Sequence, residues 1–147
     1  MSLEQAINDG IKAAMKARNE PELRGLRAIK SAILLEKTAG KGELDAAGEL
    51  KMLQKLAKQR KDSLDIFRSQ KREDLARKEE EELAVIERFL PRQMSEEELR
   101  NALKEIIATT GASSSADMGK VMGVASKQLA GKADGKTISA LVKELLA

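Results

Sequence analysis

Residues 116–147, ADMGKVMGVASKQLAGKADGKTISALVKELLA, contain two short helical patterns meeting across a glycine-rich joint. In the first, spanning about Ala116 to Ala130, Met118, Met122, Ala125 and Leu129 recur at steps of three and four and make one apolar side. Lys120 and Lys127 are seven residues apart and fall on nearly the same meridian of the opposite side. Gly119, Gly123, Ser126 and Ala130 form a ridge of small residues beside them. The joint, Gly131-Lys132-Ala133-Asp134-Gly135, has only a superficial likeness to a phosphate loop. It links two helices, lacks the preceding strand and the terminal Lys-Ser/Thr pair, and offers Asp134 as the N-cap of the last helix.

Upstream, Ser95 and Glu98 make a capping box, with Met94 placed to staple onto Leu99. The helix they start runs through Leu103, Ile106 and Ile107 to Gly111, a natural left-handed stop. A serine-rich loop, Ser113 to Ser115, connects it to the opening stretch, and capping accounts for its hydroxyls. Pro91 cannot continue a helix and biases Leu90 toward extended geometry. This predicts a boundary between an N-terminal helical lobe, 1–91, and a three-helix lobe, 92–147.

The first lobe reads as four helices. Ser2 and Gln5 open one whose stripe is Leu3, Ile7, Ile11, Ala14 and Met15, ending near Asn19. Asn19, with Pro21 in the first turn, opens a second with Leu23, Leu26, Ile29 and Ile33, which Gly40 and Gly42 terminate. Asp45 caps a third, burying Leu50, Leu53, Leu56, Ala57, Leu64 and Phe67 and leaving Lys51, Lys55, Lys58 and Lys61 outside. After a joint at Ser69 to Arg72, a fourth carries Leu75, Leu83, Ile86 and Leu90, with Glu79 to Glu82 on its solvent side.

Composition agrees with an all-α protein. The hydrophobic fraction of 41% in 147 residues suffices for a core, yet Phe67 and Phe89 are the only aromatics, and sheets favour aromatic and β-branched residues. With neither His nor Cys, the chain has no thiolate nucleophile, no imidazole base and no N/S zinc site. Glu4 and Asp9 interrupt the first apolar stripe, so no signal-peptide pattern is expected there, and no run is long enough to span a membrane. A cytoplasmic protein is expected. The net charge is +3, with 19 basic and 17 acidic residues before Pro91 and 8 and 7 after it, so neither half is a basic arm.

The ridge has two readings: a dock for a nucleic-acid backbone, with Lys120, Lys127, Lys132 and Lys136 on phosphates beside Gly119 and Gly123, or a seam for a closely packed helix. Lys58 to Ser63 with Arg24, Arg27 and Lys30 likewise reads either as a positive surface or as a charged face laced by pairs such as Lys58 with Asp62. Glu79 to Glu82 point in different directions and read as solvated rather than as a metal site.

Several segments carry a family resemblance. D-M-G-K-V-M-G from Asp117, G-K-A-D-G-K from Gly131 and the closing L-V-K-E-L-L resemble the C-terminal tail of the B subunit of the tRNA-dependent amidotransferase. With K-Q-R-K-D-S at Lys58 to Ser63, R-E-D-L-A at Arg72 to Ala76 and F-L-P-R-Q-M-S-E-E-E-L at Phe89 to Leu99, the whole chain is similar to the stand-alone YqeY proteins that share that tail. The resemblance implies a bacterial cytosolic protein, and in the amidotransferase the tail contacts tRNA while catalysis belongs to other domains. Where that tail tends to carry Pro, Gly135 stands here and is expected to loosen the joint.

Three functions follow as expectations. The first is an accessory binding module for tRNA or an amidotransferase-like protein, without catalytic residues, metal, cofactor or membrane contact. The second is a carbon–nitrogen ligase using glutamine as amido-nitrogen donor. The third is an adaptor that binds protein through the glycine ridge. No pattern in the sequence sets an oligomeric state.

Overall fold

The computed structural model describes residues 2–147, and among them every regular element is helical. The order is α1 (Leu3–Ala17), α2 (Glu20–Glu36), α3 (Ala46–Ser69), α4 (Glu73–Glu87), α5 (Glu96–Thr110), α6 (Met118–Gln128) and α7 (Gly135–Leu146). A π-helical turn, Lys37–Lys41, extends α2, and a short 3₁₀ turn, Ser115–Asp117, precedes α6. The chain divides into two compact units, the first ending at Leu90 and the second running Pro91–Ala147.

Helix starts follow local chemistry. The Ser2 hydroxyl accepts the Gln5 N–H at 3.1 Å, the Asn19 amide oxygen that of Glu22 at 3.3 Å, and the Asp45 carboxylate that of Gly48 at 2.7 Å. At α5 the capping box is complete, Ser95 and Glu98 each accepting the other's backbone N–H at 3.1 and 3.2 Å. Such caps are each worth about 1 kcal/mol, because they satisfy donors that have no intrahelical partner. Gly40, Gly42 and Gly111 take left-handed φ of 84°, 64° and 72° where α2 and α5 end.

In the first unit α1 lies along α2, and α4 packs on both α2 and α3. Ile7, Leu26, Ile29, Leu53 and Ile86 form the centre of its core. Met15, expected inside, is 56% exposed, because α1 has α2 on one side only. Met52 and Val85, absent from the expected stripes, are buried; α3 and α4 each face two neighbours, which widens their apolar faces. At the α2–α4 crossing Gly25 is obligatory: a Cβ there would stand 2.5 Å from the Cβ of Val85.

Glu79, Glu81 and Glu82 are not solvated as expected. Glu79 and Glu82 converge on the Arg60 guanidinium at 3.3 and 3.0 Å, with side chains only 16% and 17% exposed. Glu81 accepts from Arg24 at 2.7 Å, and Glu82 lies 3.7 Å from the Arg24 Nε, an ion pair too long for a hydrogen bond. Residues three apart on α4 share a face, so two carboxylates reach one guanidinium across the α3–α4 seam.

The second unit has its own core, centred on Leu99, Leu103, Val121, Ala125 and Val142, with Met94 packed against it. Its three helices are mutually in contact.

Candidate functional site

α6 is shorter than its sequence pattern, beginning at Met118 after the 3₁₀ turn and ending at Gln128. Its buried stripe is Val121 and Ala125, continued by Leu129, while Met118 and Met122 are half-buried. The stripe is therefore centred one residue from its expected position, since α5 and α7 both press on this helix. The Ser113–Ser115 hydroxyls do not cap α6. Instead the Asp117 carboxylate accepts the Ser113 backbone N–H at 3.0 Å, and no side-chain cap closes the helix start.

Gly119, Lys120, Gly123 and Lys127 are exposed, and with Val124 and Gln128 they line one shallow depression on the outer side of α6. A Cβ built at Gly119 or Gly123 would meet nothing within 4 Å. The alternative that these glycines admit another helix of the second unit therefore fails. Ser126 and Ala130 are exposed but do not line the depression, Ala130 lying beyond the helix end.

Lys132 and Lys136 are exposed and also lie outside the depression, one in the joint and one at the second position of α7. The joint is tied at its start, ahead of Gly135. The Gln93 amide donates to the carbonyls of Gly131 (2.7 Å) and Pro91 (2.9 Å), and the Met94 N–H donates to the Lys132 carbonyl at 2.9 Å. Gly131, at φ 76°, makes the turn and is buried. Asp134 occupies the N-cap position of α7, but its carboxylate accepts the Thr137 hydroxyl at 3.3 Å instead of a backbone N–H. Gln93 is the contributor that sequence reasoning missed; its signal was its place directly after Pro91-Arg92.

The charge balance of this surface is one-sided. Between Met118 and Lys136 stand four lysines and one acid, Asp134. Elsewhere in the unit three of the acids are held by arginines: Arg100 joins Glu96 and Glu144 at 3.0 and 3.1 Å, and Arg92 joins Glu98 at 3.2 Å. The Arg100 guanidinium is held more firmly protonated by Glu144 first and Glu96 second. Among the described residues none of Lys120, Lys127, Lys132 and Lys136 forms an ion pair.

In the first unit three members of the competing basic surface have carboxylate partners. Arg24 and Arg60 face α4 carboxylates, and Lys61 lies 3.9 Å from Glu87. A cleft of about 120 Å³ lined by Ser2, Glu4, Ile33, Lys37, Glu43, Leu44 and Glu49 is below the size of a substrate pocket. Within it Lys37 donates to Glu4 at 2.6 Å and lies 3.5 Å from Glu43; the Glu4 bond is the first cause of its raised pKa. Among the described residues no group of three potential ligands converges on a metal position. Among them too, no helix is long and apolar enough to cross a membrane.

From residue 4 to 146 the chain matches the profile of the family described as Yqey-like protein. The chain belongs to the YqeY-like family. It is also similar to the altered inheritance of mitochondria protein 41, mitochondrial, of Saccharomyces cerevisiae (strain ATCC 204508 / S288c), at 35% identity over 85 residues, 57% of this chain and 46% of that protein. The protein of the same description from Pyrenophora tritici-repentis (strain Pt-1C-BFP) is 33% identical over 79 residues, 54% of this chain and 44% of its own length. The match to this YqeY-like chain thus spans less than half the length of these relatives.

Proposed function

We propose that this YqeY-like protein is an accessory binding module that docks the backbone of tRNA, in the cytosol, through the outer side of α6. The observation that carries the reading is the pairing of bare backbone with unneutralised charge. Gly119 and Gly123 leave the helix surface open, and Lys120 and Lys127 flank the opening without acidic partners. A phosphate chain can approach such a surface closely and gains from releasing its condensed counterions. Lys132 and Lys136 extend the positive charge past the joint. The two phenylalanines are half-buried in the first unit, so base stacking has no platform and sequence readout is poor. The resemblance of Ala116 to Ala147 to the amidotransferase tail is the reason to name tRNA rather than another RNA.

Filter binding of tRNA across a salt series tests this. Lys120→Ala with Lys127→Ala should weaken binding to all tRNAs alike and reduce the logarithmic salt slope by about one per contact removed. Absence of tRNA binding at low salt, or binding that the double variant leaves untouched, refutes the reading and turns the search to an amidotransferase-like protein partner.

A further inference from the structure

The outward face of α3 carries its charges in two blocks. Lys51, Lys55 and Lys58 are followed by Asp62 and Asp65, at steps of four, three, four and three residues. At 3.6 residues per turn all five fall within an arc of about 80° and a length of about 21 Å. All five are exposed, and among the described residues none is in an ion pair, although Lys58 and Asp62 are one turn apart. Helix stability does not explain the order, because cations toward the N-terminus and anions toward the C-terminus oppose the helix dipole.

We propose that this row is a self-association face, on which a second copy of the chain lies antiparallel along α3. The row is its own complement. With a two-fold axis crossing the row midway between Lys58 and Asp62, Lys58 meets Asp62 of the second copy and Lys55 meets Asp65 of the second copy. The axis repeats both contacts, as an isologous interface requires.

A polyanion fits this face less well. It would be attracted along the roughly 10 Å from Lys51 to Lys58 and then meet two aspartates on the same meridian. An acidic peptide meets the same repulsion, whereas a second copy pairs both aspartates with two of the three lysines. Because the contacts are exposed charge pairs, the association is weak and strongly salt-dependent. It stands independently of the tRNA reading of α6.

Sedimentation equilibrium of the full chain at high protein concentration, at ~0.01 M and ~1 M ionic strength, is the test; the Debye lengths there are about 30 and 3 Å. A reversible dimer is expected at low salt and monomer at high salt. Lys55→Asp with Lys58→Asp makes the face predominantly acidic, and Asp62→Lys with Asp65→Lys makes it wholly basic. Each variant, checked by circular dichroism for an intact fold, should be monomeric alone, and a one-to-one mixture should dimerise at least as tightly as wild type. A mixture that stays monomeric at low salt, or variants that associate as wild type does, overturns the proposal. So does a loss of tRNA binding in Lys55→Asp/Lys58→Asp as large as that in Lys120→Ala/Lys127→Ala, which would make the row a polyanion contact.

Discussion

Replacing Gly119 and Gly123 by alanine should stabilise α6 while weakening its ligand. Alanine is favoured over glycine by about 1 kcal/mol in a helix interior. Gly123 is mid-helix and should return most of that; Gly119, in the first turn, should return less. Neither new methyl group meets an atom within 4 Å, so no packing penalty opposes the gain. The pair should therefore stabilise α6 by about 1–2 kcal/mol, which slows amide exchange through local opening by roughly 5- to 30-fold. Exchange of the Val121 to Leu129 amides, followed in the full chain, measures it. In the same protein tRNA affinity should fall, because two methyl groups now hold the phosphate chain off the helix, yet the salt slope should not change, because no charge is lost. Loss of stability would mean that the chain itself needs these glycines. Gained stability with unaltered affinity would mean that no ligand approaches the ridge closely.

Gly25 should behave in the opposite way. Its new Cβ would lie 2.5 Å from the Val85 Cβ and 2.8 Å from both Val85 Cγ atoms, where carbon contacts prefer about 3.5–4.0 Å. The Val85 Cβ is fixed to the α4 backbone, so the helices must part. The overpacking, at the upper end of ~1–3 kcal/mol, exceeds the propensity gain of ~1 kcal/mol, and thermal unfolding of Gly25→Ala should shift down. Gly10→Ala meets only the rotatable tip of Leu26, at 3.1 Å, and should melt close to wild type; the reverse order of the two variants would refute the argument. Glu98 is held below its ordinary pKa by the Ser95 backbone N–H first, then by the Ser95 hydroxyl and Arg92. A depressed carboxyl contributes stability above its unfolded pKa and loses it as pH falls through the folded value, so Glu98→Gln should flatten acid unfolding of the second unit below about pH 4.5. A Pro91–Ala147 fragment should melt cooperatively, whereas Met94–Ala147, lacking the Gln93 clamp on Gly131, should melt lower; equal melting would remove Gln93 from the account.

What the sequence disclosed depended on the range of the interaction. Caps at Ser2, Asn19, Asp45 and Ser95 were legible because donor and acceptor lie three residues apart, and Gly111 because its left-handed φ has few occupants. The stripe of α2 was read residue by residue, since α2 carries a single regular apolar set. On α3, α4 and α6 the apolar faces were read too narrowly, which hid Met52, Val85 and Val121. The carboxylates of α4 were misread because their partners, Arg24 and Arg60, lie 19 to 58 residues away in sequence, beyond any local pattern. At the ridge, spacing placed Gly119, Lys120, Gly123 and Lys127 on neighbouring meridians. Only the structure removed the packing alternative within the second unit, because emptiness beside a glycine is a tertiary fact.

The last prediction is that the isolated protein releases no glutamate from glutamine. Amide transfer requires an activated nucleophile and a base whose pKa has been moved toward the working pH. In this chain the carriers left for such chemistry are serine, threonine, lysine and carboxylate. Activating one of them takes burial, yet among the described residues no polar or charged residue is buried. The shifts that do occur favour the charged, unreactive forms. Lys37 is raised by Glu4, Arg72 by Asp74 and Arg100 by Glu144, while Asp74 is lowered by Arg72 and Glu98 by the Ser95 cap. A lysine raised by a salt bridge is a poorer base at neutral pH, and a carboxylate lowered by one is a poorer acid. Incubation with glutamine, ATP, magnesium and mischarged tRNA should therefore give glutamate only at the rate of the protein-free control. Sustained turnover that a single serine or lysine substitution abolishes would replace the binding module with a glutamine-dependent carbon–nitrogen ligase.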